Sequence, residues 1–153
     1  MLQTIKKDQK GFTIIEVLIV LAIAGLILLI VFLAVPALQR NSRNTSYRSE
    51  AAQLLSASSE FSANADGAVP LAANSAAITA LTKNKTITGL AIVTGAGATT
   101  PTFAGATLRT GARCGTPSGT ALHTTVTGPT RALALVYAIE GTGGTVVAQC
   151  QES

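Results

Sequence analysis

The strongest pattern in the chain is an unbroken apolar run. From position 17 to position 35, nineteen consecutive residues carry neither a charge nor a strongly polar side chain. At 1.5 Å of rise per residue this run makes a helix of roughly 28 Å, and adding residues 12–15 takes it past the ~30 Å hydrocarbon core of a bilayer. The run is apolar on every face, so it calls for lipid or complete burial among other helices. After Leu38 the character changes abruptly to Gln39, Arg40, Asn41, Ser42, Arg43, Asn44 and Thr45. That composition suits a headgroup region in which the arginines reach outward.

Beyond this polar stretch, Tyr47, Ala51, Leu54, Ser58 and Phe61 recur at spacings of three and four, with Arg48, Glu50, Gln53 and Glu60 on other faces. This is the narrow stripe of an amphipathic helix. A single helix over residues 12–63 would be about 75 Å long. Asn64, Ala65, Asp66 and Gly67 supply its stop signal, and Pro70 forbids continuation. Inside it, Pro36 removes one backbone hydrogen bond and predicts a loosened turn, while Gly25 lets another helix approach closely.

The rest reads as short strands and turns. Residues 85–93 and 102–109 are β-prone, and 120–127 more weakly so. Residues 131–140, the Gly-rich connection 141–144 and residues 145–150 read as a hairpin, with Leu133, Leu135, Tyr137 and Ile139 on one face. A small antiparallel sheet could bury that face against the stripe running from Tyr47 to Phe61. Residues 63–80 and 95–100 read as loops, and no internal repeat is evident. The fold class is therefore α+β: a long N-terminal helix, transmembrane in its first half, on a small C-terminal antiparallel sheet.

Composition narrows the picture. Only 12% of the 153 residues are charged, against a usual ~25%. The segment after residue 65 is rich in Ala, Thr and Gly and poor in aromatics, so its core is small and needs support from a helix, a disulfide or neighbouring copies. The net charge is +4, but Lys6, Lys7, Lys10 and Asp8 all precede Phe12. Removing them leaves eight Lys/Arg against six Asp/Glu, a net +2. The high pI is thus largely a property of the first eleven residues, and it gives no support to DNA binding. Cys114 and Cys150 lie far beyond the apolar run, and in an exported domain they are expected to pair across 36 positions, a link worth roughly 2–4 kcal/mol.

The junction ahead of the apolar run reads Lys10-Gly11-Phe12-Thr13-Ile14-Ile15-Glu16-Val17-Leu18. It resembles the type IV prepilin signature over roughly residues 5–38: a basic leader, Gly before the cut, Phe after it, and a Glu heading an apolar helix. The resemblance implies a leader over residues 1–11, cleaved between Gly11 and Phe12 by a membrane-embedded prepilin peptidase, with N-methylation of the new terminus at Phe12. Gly11, without a side chain, lets the backbone lie extended in a protease cleft. Glu16 is the most informative residue, because a carboxylate at membrane depth costs about 2.5–3.5 kcal/mol and is not kept for anchoring. In similar pilins this Glu is thought to neutralise the N-terminal amine of an adjacent subunit, so Glu16 is implied to act in assembly. Pro36 falls later than the proline often seen in pilin helices. The pair Cys114 and Cys150 resembles the disulfide that closes the C-terminal region of many pilins.

The implied organisation is leader 1–11, membrane and filament-core helix 12–38, amphipathic continuation 39–64, and a β-rich domain over 65–153. The implied function is a structural subunit of a type IV pilus serving motility, adhesion or DNA uptake. Its partners would be further copies of itself, the prepilin peptidase, the pilus assembly machinery and, before assembly, membrane lipid. It would sit in the cell membrane with its N-terminus cytoplasmic and then move to the extracellular filament. A type II secretion pseudopilin or minor competence pilin would share the same motif. A signal-anchored membrane protein with an external binding domain would differ in leaving Gly11 uncut and in being indifferent to Glu16. Charge alone does not orient the segment, since Arg40, Arg43 and Arg48 flank its far end as the lysines flank its near end.

No catalytic constellation is expected. His123 is the sole histidine, with no second ligand near it in sequence, and is expected on the surface or in a strand. The cysteines lack CxxC spacing, no Walker or zinc motif is present, and neither cofactor nor metal is called for. Asn44-Thr45-Ser46 and Asn84-Lys85-Thr86 match the N-glycosylation acceptor pattern.

Overall fold

The computed structural model describes residues 11–82, 86–116 and 121–153. The leader through Lys10, the acceptor Asn84 with Lys85, and Thr120 lie outside the described residues. The chain divides into two units, Met1–Gln39 and Arg40–Ser153.

The first unit holds the N-terminal part of helix α1 (Ile14–Asn64), a single helical element with Pro36 inside it. Every described residue of this unit is exposed, from Phe12 at 89% through Leu38 at 71%. Among the described residues, one helix is long and apolar enough to cross a membrane.

In the second unit the predicted stripe is the one that packs. Ala51, Leu54, Leu55, Ala57 and Ser58 are buried, with Tyr47 and Phe61 partly so. They meet Leu133, Leu135, Tyr137 and Ile139, together with Ile92, Ala106 and Leu108. Helix α1 ends as the stop signal requires. Asp66 and Gly67 take φ of 51° and 78°, and the Gly67 N–H reaches back to the Ser62 carbonyl at 2.8 Å.

The strands are β1 (Gly89–Thr94), β2 (Ala98–Thr99), β3 (Gly105–Thr110), β4 (Ala112–Cys114), β5 (His123–Thr127), β6 (Leu133–Glu140) and β7 (Val146–Glu152). They form a four-stranded sheet ordered β1-β3-β6-β7 and a three-stranded sheet ordered β2-β5-β4. The expected β6–β7 hairpin is present, in antiparallel register from Glu140 opposite Val146 to Ala134 opposite Glu152.

Several expectations are corrected. The sheet is antiparallel except at its edge, where β1 pairs with β3 in parallel, because the intervening chain crosses to the second sheet as β2 before returning. Residues 63–80 are not all loop: a short 3₁₀ turn (Ala72–Asn74) leads into α2 (Ser75–Leu81). With Ile78 as its one buried residue, α2 is too short to display a helical period, and Ala-rich propensity is its sole local signal. The stretch 95–100 contains β2, and β4 was not foreseen. Strand β6 buries both faces, not one: Ala134, Val136 and Ala138 are as buried as Leu133, Leu135 and Tyr137. Helix α1 covers the latter face, and the second sheet covers the former, where its strand β4 is linked to β7 by the disulfide. Near-continuous apolar sequence in β6 is the mark of a strand covered on both sides.

Candidate functional site

The candidate site lies at the head of α1. Gly11 and Phe12 precede the helix and are exposed, and the helix starts at Ile14. Thr13 occupies the N-cap and Glu16 the third helical position. The Thr13 hydroxyl donates to Glu16 Oε2 at 2.6 Å, and the Thr13 backbone N–H donates to the same oxygen at 2.8 Å. The Glu16 N–H points back at the Thr13 hydroxyl at 3.4 Å. This reciprocal arrangement is a capping box, which satisfies backbone donors that the first turn otherwise leaves orphaned. It also sets a negative charge at the positive end of the helix dipole. Thr13 is the residue that sequence reasoning missed, and its signal was present: Thr13-Ile14-Ile15-Glu16 is the T-x-x-E pattern ahead of an apolar run.

The second unit binds its own helix to the β6–β7 turn through polar groups. Arg43 pairs with Glu140 at 2.7 Å. The Asn44 side-chain amide donates to the Glu140 carbonyl and accepts from the Glu140 N–H, each at 2.8 Å. Arg40 donates to the Gly141 carbonyl at 3.4 Å. The expectation that Arg40 and Arg43 reach outward is therefore corrected: both turn onto the β6–β7 turn, Arg43 to the Glu140 carboxylate and Arg40 to the Gly141 carbonyl. Asn44 spends its amide on a strand backbone, so its acceptor pattern is not a free surface amide.

Cys114 and Cys150 form a disulfide with Cα atoms 5.8 Å apart, linking β4 of the small sheet to β7 of the large one. The Cys114 N–H also donates to a Glu152 carboxylate oxygen at 3.0 Å. His123 does sit in a strand, but buried at 2% exposure rather than on the surface. Among the described residues, no group of three or more His, Cys, Asp or Glu could hold a metal.

With the geometry of the helix head in view, its class follows: an acidic capping box opening a membrane-length apolar helix directly after a Gly-Phe junction. The prokaryotic N-terminal methylation motif matches residues 6–32. The chain thus carries the class III signal of type IV pilin-like prepilins. A motif of this kind supports a type IV pilin-like or pseudopilin protein. Comparison with curated proteins and with solved structures finds no match. The long apolar helix with a small antiparallel-rich sheet is consistent with a pilin-like α+β fold.

Proposed function

We propose that this chain is the structural subunit of a type IV pilus, cleaved between Gly11 and Phe12, N-methylated at Phe12, and polymerised through residues 12–38. The observation that carries this reading is a lone carboxylate, Glu16, heading a helix with no further charge until Arg40. Such a charge is costly at membrane depth and adds nothing to anchoring. The capping box lowers that cost while the subunit waits in the bilayer, because Glu16 Oε2 accepts two hydrogen bonds from Thr13. Cleavage then creates an amine at Phe12. In a greasy filament core a neighbouring amine offers Glu16 full charge compensation, which two neutral donors do not, and so selects the register in which copies add. Residues 39–64 carry the globular domain on their amphipathic face, and residues 65–153 form the outward part of the subunit.

A secretion pseudopilin would share the whole of this chemistry and differ in building a short fibre. Glu16→Ala tests the assembly role. The variant is expected to be processed and membrane-bound yet to yield few filaments in electron micrographs of sheared material. Abundant filaments like those of the unaltered chain would remove Glu16 from assembly.

A further inference from the structure

The two faces of the four-stranded sheet are covered very differently. Toward α1 the core contains Leu54, Leu108, Leu135 and Tyr137. On the opposite face β6 offers only Ala134, Val136 and Ala138, and β7 offers Ala148. Small side chains bury little apolar area each, at ~25 cal/mol per Å², and polar groups join them in this layer. Arg109 is 9% exposed. It donates to the Thr99 hydroxyl at 2.9 Å and to the carbonyls of Gly95 and Ala98 at 3.0 and 2.9 Å.

His123 belongs to this thin layer. The burial of β5 alternates, with His123 and Thr125 inward and Thr124 and Val126 outward. His123 stands opposite Thr99 in the β2–β5 pairing, so the two side chains share a face, and Thr99 is the residue that Arg109 grips. The imidazole is 2% exposed, and its Nδ1 has no hydrogen-bond partner among the described residues. An imidazole buried in this way is neutral, since a proton on it would add a charge that Nδ1 has no acceptor to receive.

The charged groups bearing on it can be named element by element. Strand β3 contributes the Arg109 cation, and the one charged residue of β6, Glu140 at its far end, is paired with Arg43. Strand β7 contributes Glu152, which is exposed and already accepts from the Cys114 N–H. Strand β2 has none, and Arg113 of β4 is exposed opposite the outward-facing Val126.

We propose that the three-stranded sheet is an acid-releasable layer whose proton sensor is His123. Protonation loosens β2, β5 and β4 from the four-stranded sheet and uncovers Ala134, Val136 and Ala138. Helix α1 and strands β1, β3, β6 and β7 stay together on their own, larger core. The Cys114–Cys150 disulfide keeps the loosened layer tethered.

The sign follows from linkage. Burial holds the His123 pKa below its ordinary 6.5, whereas the loosened layer titrates near the ordinary value. The attached layer therefore keeps its full stability above pH 6.5. It loses a factor of about ten per pH unit below that, until the buried imidazole itself takes up the proton.

The test is pH-dependent amide exchange of the full chain in detergent micelles, corrected for intrinsic rates, alongside NMR titration of the sole imidazole. The expected result is an imidazole titrating below 6.5, with protection of residues 123–127 falling about tenfold per pH unit while residues 135–138 hold. His123→Gln should make the protection of β5 independent of pH over the same range. An imidazole that titrates at or above 6.5 would overturn the proposal, as would protection lost equally in β5 and β6 or in neither. Where His123→Gln fails to fold, the unaltered chain alone decides.

Discussion

At the scale of single residues, the chain solves the same problem twice: a polar side chain finds its partners in the backbone and side chains close by. Glu16 finds Thr13 three positions back, and Asn44 finds both backbone groups of Glu140, ninety-six positions away. The first solution was legible in sequence, because a capping box is a local pattern. The second was not, because nothing in Asn44-Thr45-Ser46 reveals a strand end that only folding brings to it. Replacing Asn44 with Ala leaves two backbone groups of Glu140 short of a partner and should destabilise the domain by about 1–3 kcal/mol. Chemical denaturation of the full chain in detergent checks this, and a midpoint unchanged from the unaltered chain would contradict it. Gly11→Val tests the other end of the functional motif. A branched side chain is expected to block an extended fit in the peptidase cleft and leave unprocessed precursor. Mature protein in normal yield would count against cleavage at this bond.

At the scale of elements, periodicity was a faithful guide wherever one face of one element was buried. The stripe from Tyr47 to Phe61 packs as its spacing requires, and the β6–β7 hairpin falls where alternation and glycines put it. Leu54, wholly buried at the centre of that contact, is the residue whose truncation matters most. Leu54→Ala should cost about 2–5 kcal/mol, read as a loss of thermal or denaturant stability. A change below about 1 kcal/mol would mean that the helix and sheet do not share a core. Periodicity failed where its premises did. Strand β6 is covered on both sides, so alternation understated its burial. Helix α2 spans seven residues, too few for a period to appear. The parallel pairing of β1 with β3 depends on a crossover through another sheet, which no local pattern records.

At the scale of the molecule, the two units meet solvent in opposite ways. Residues 12–38 present apolar side chains all round, whereas residues 40–153 gather theirs into one core and leave a second, thin layer bound by an arginine and a disulfide. The first surface is costly to leave in water, and that cost is the physical argument for the proposed membrane stage and polymer. The disulfide fits export into an oxidising compartment. Alkylation of exported protein followed by mass spectrometry should find no modified cysteine, and two modified cysteines would mean the pair is open outside the cell. The central claim, that cleavage makes a new chain end for the polymer to use, is tested most directly by N-terminal sequencing of fibres sheared from intact cells. The account requires that sheared material begin at Phe12, with methylation of that residue visible by mass. Sheared fibres that begin at Met1, or that lack this chain while it stays in the membrane fraction, would contradict it.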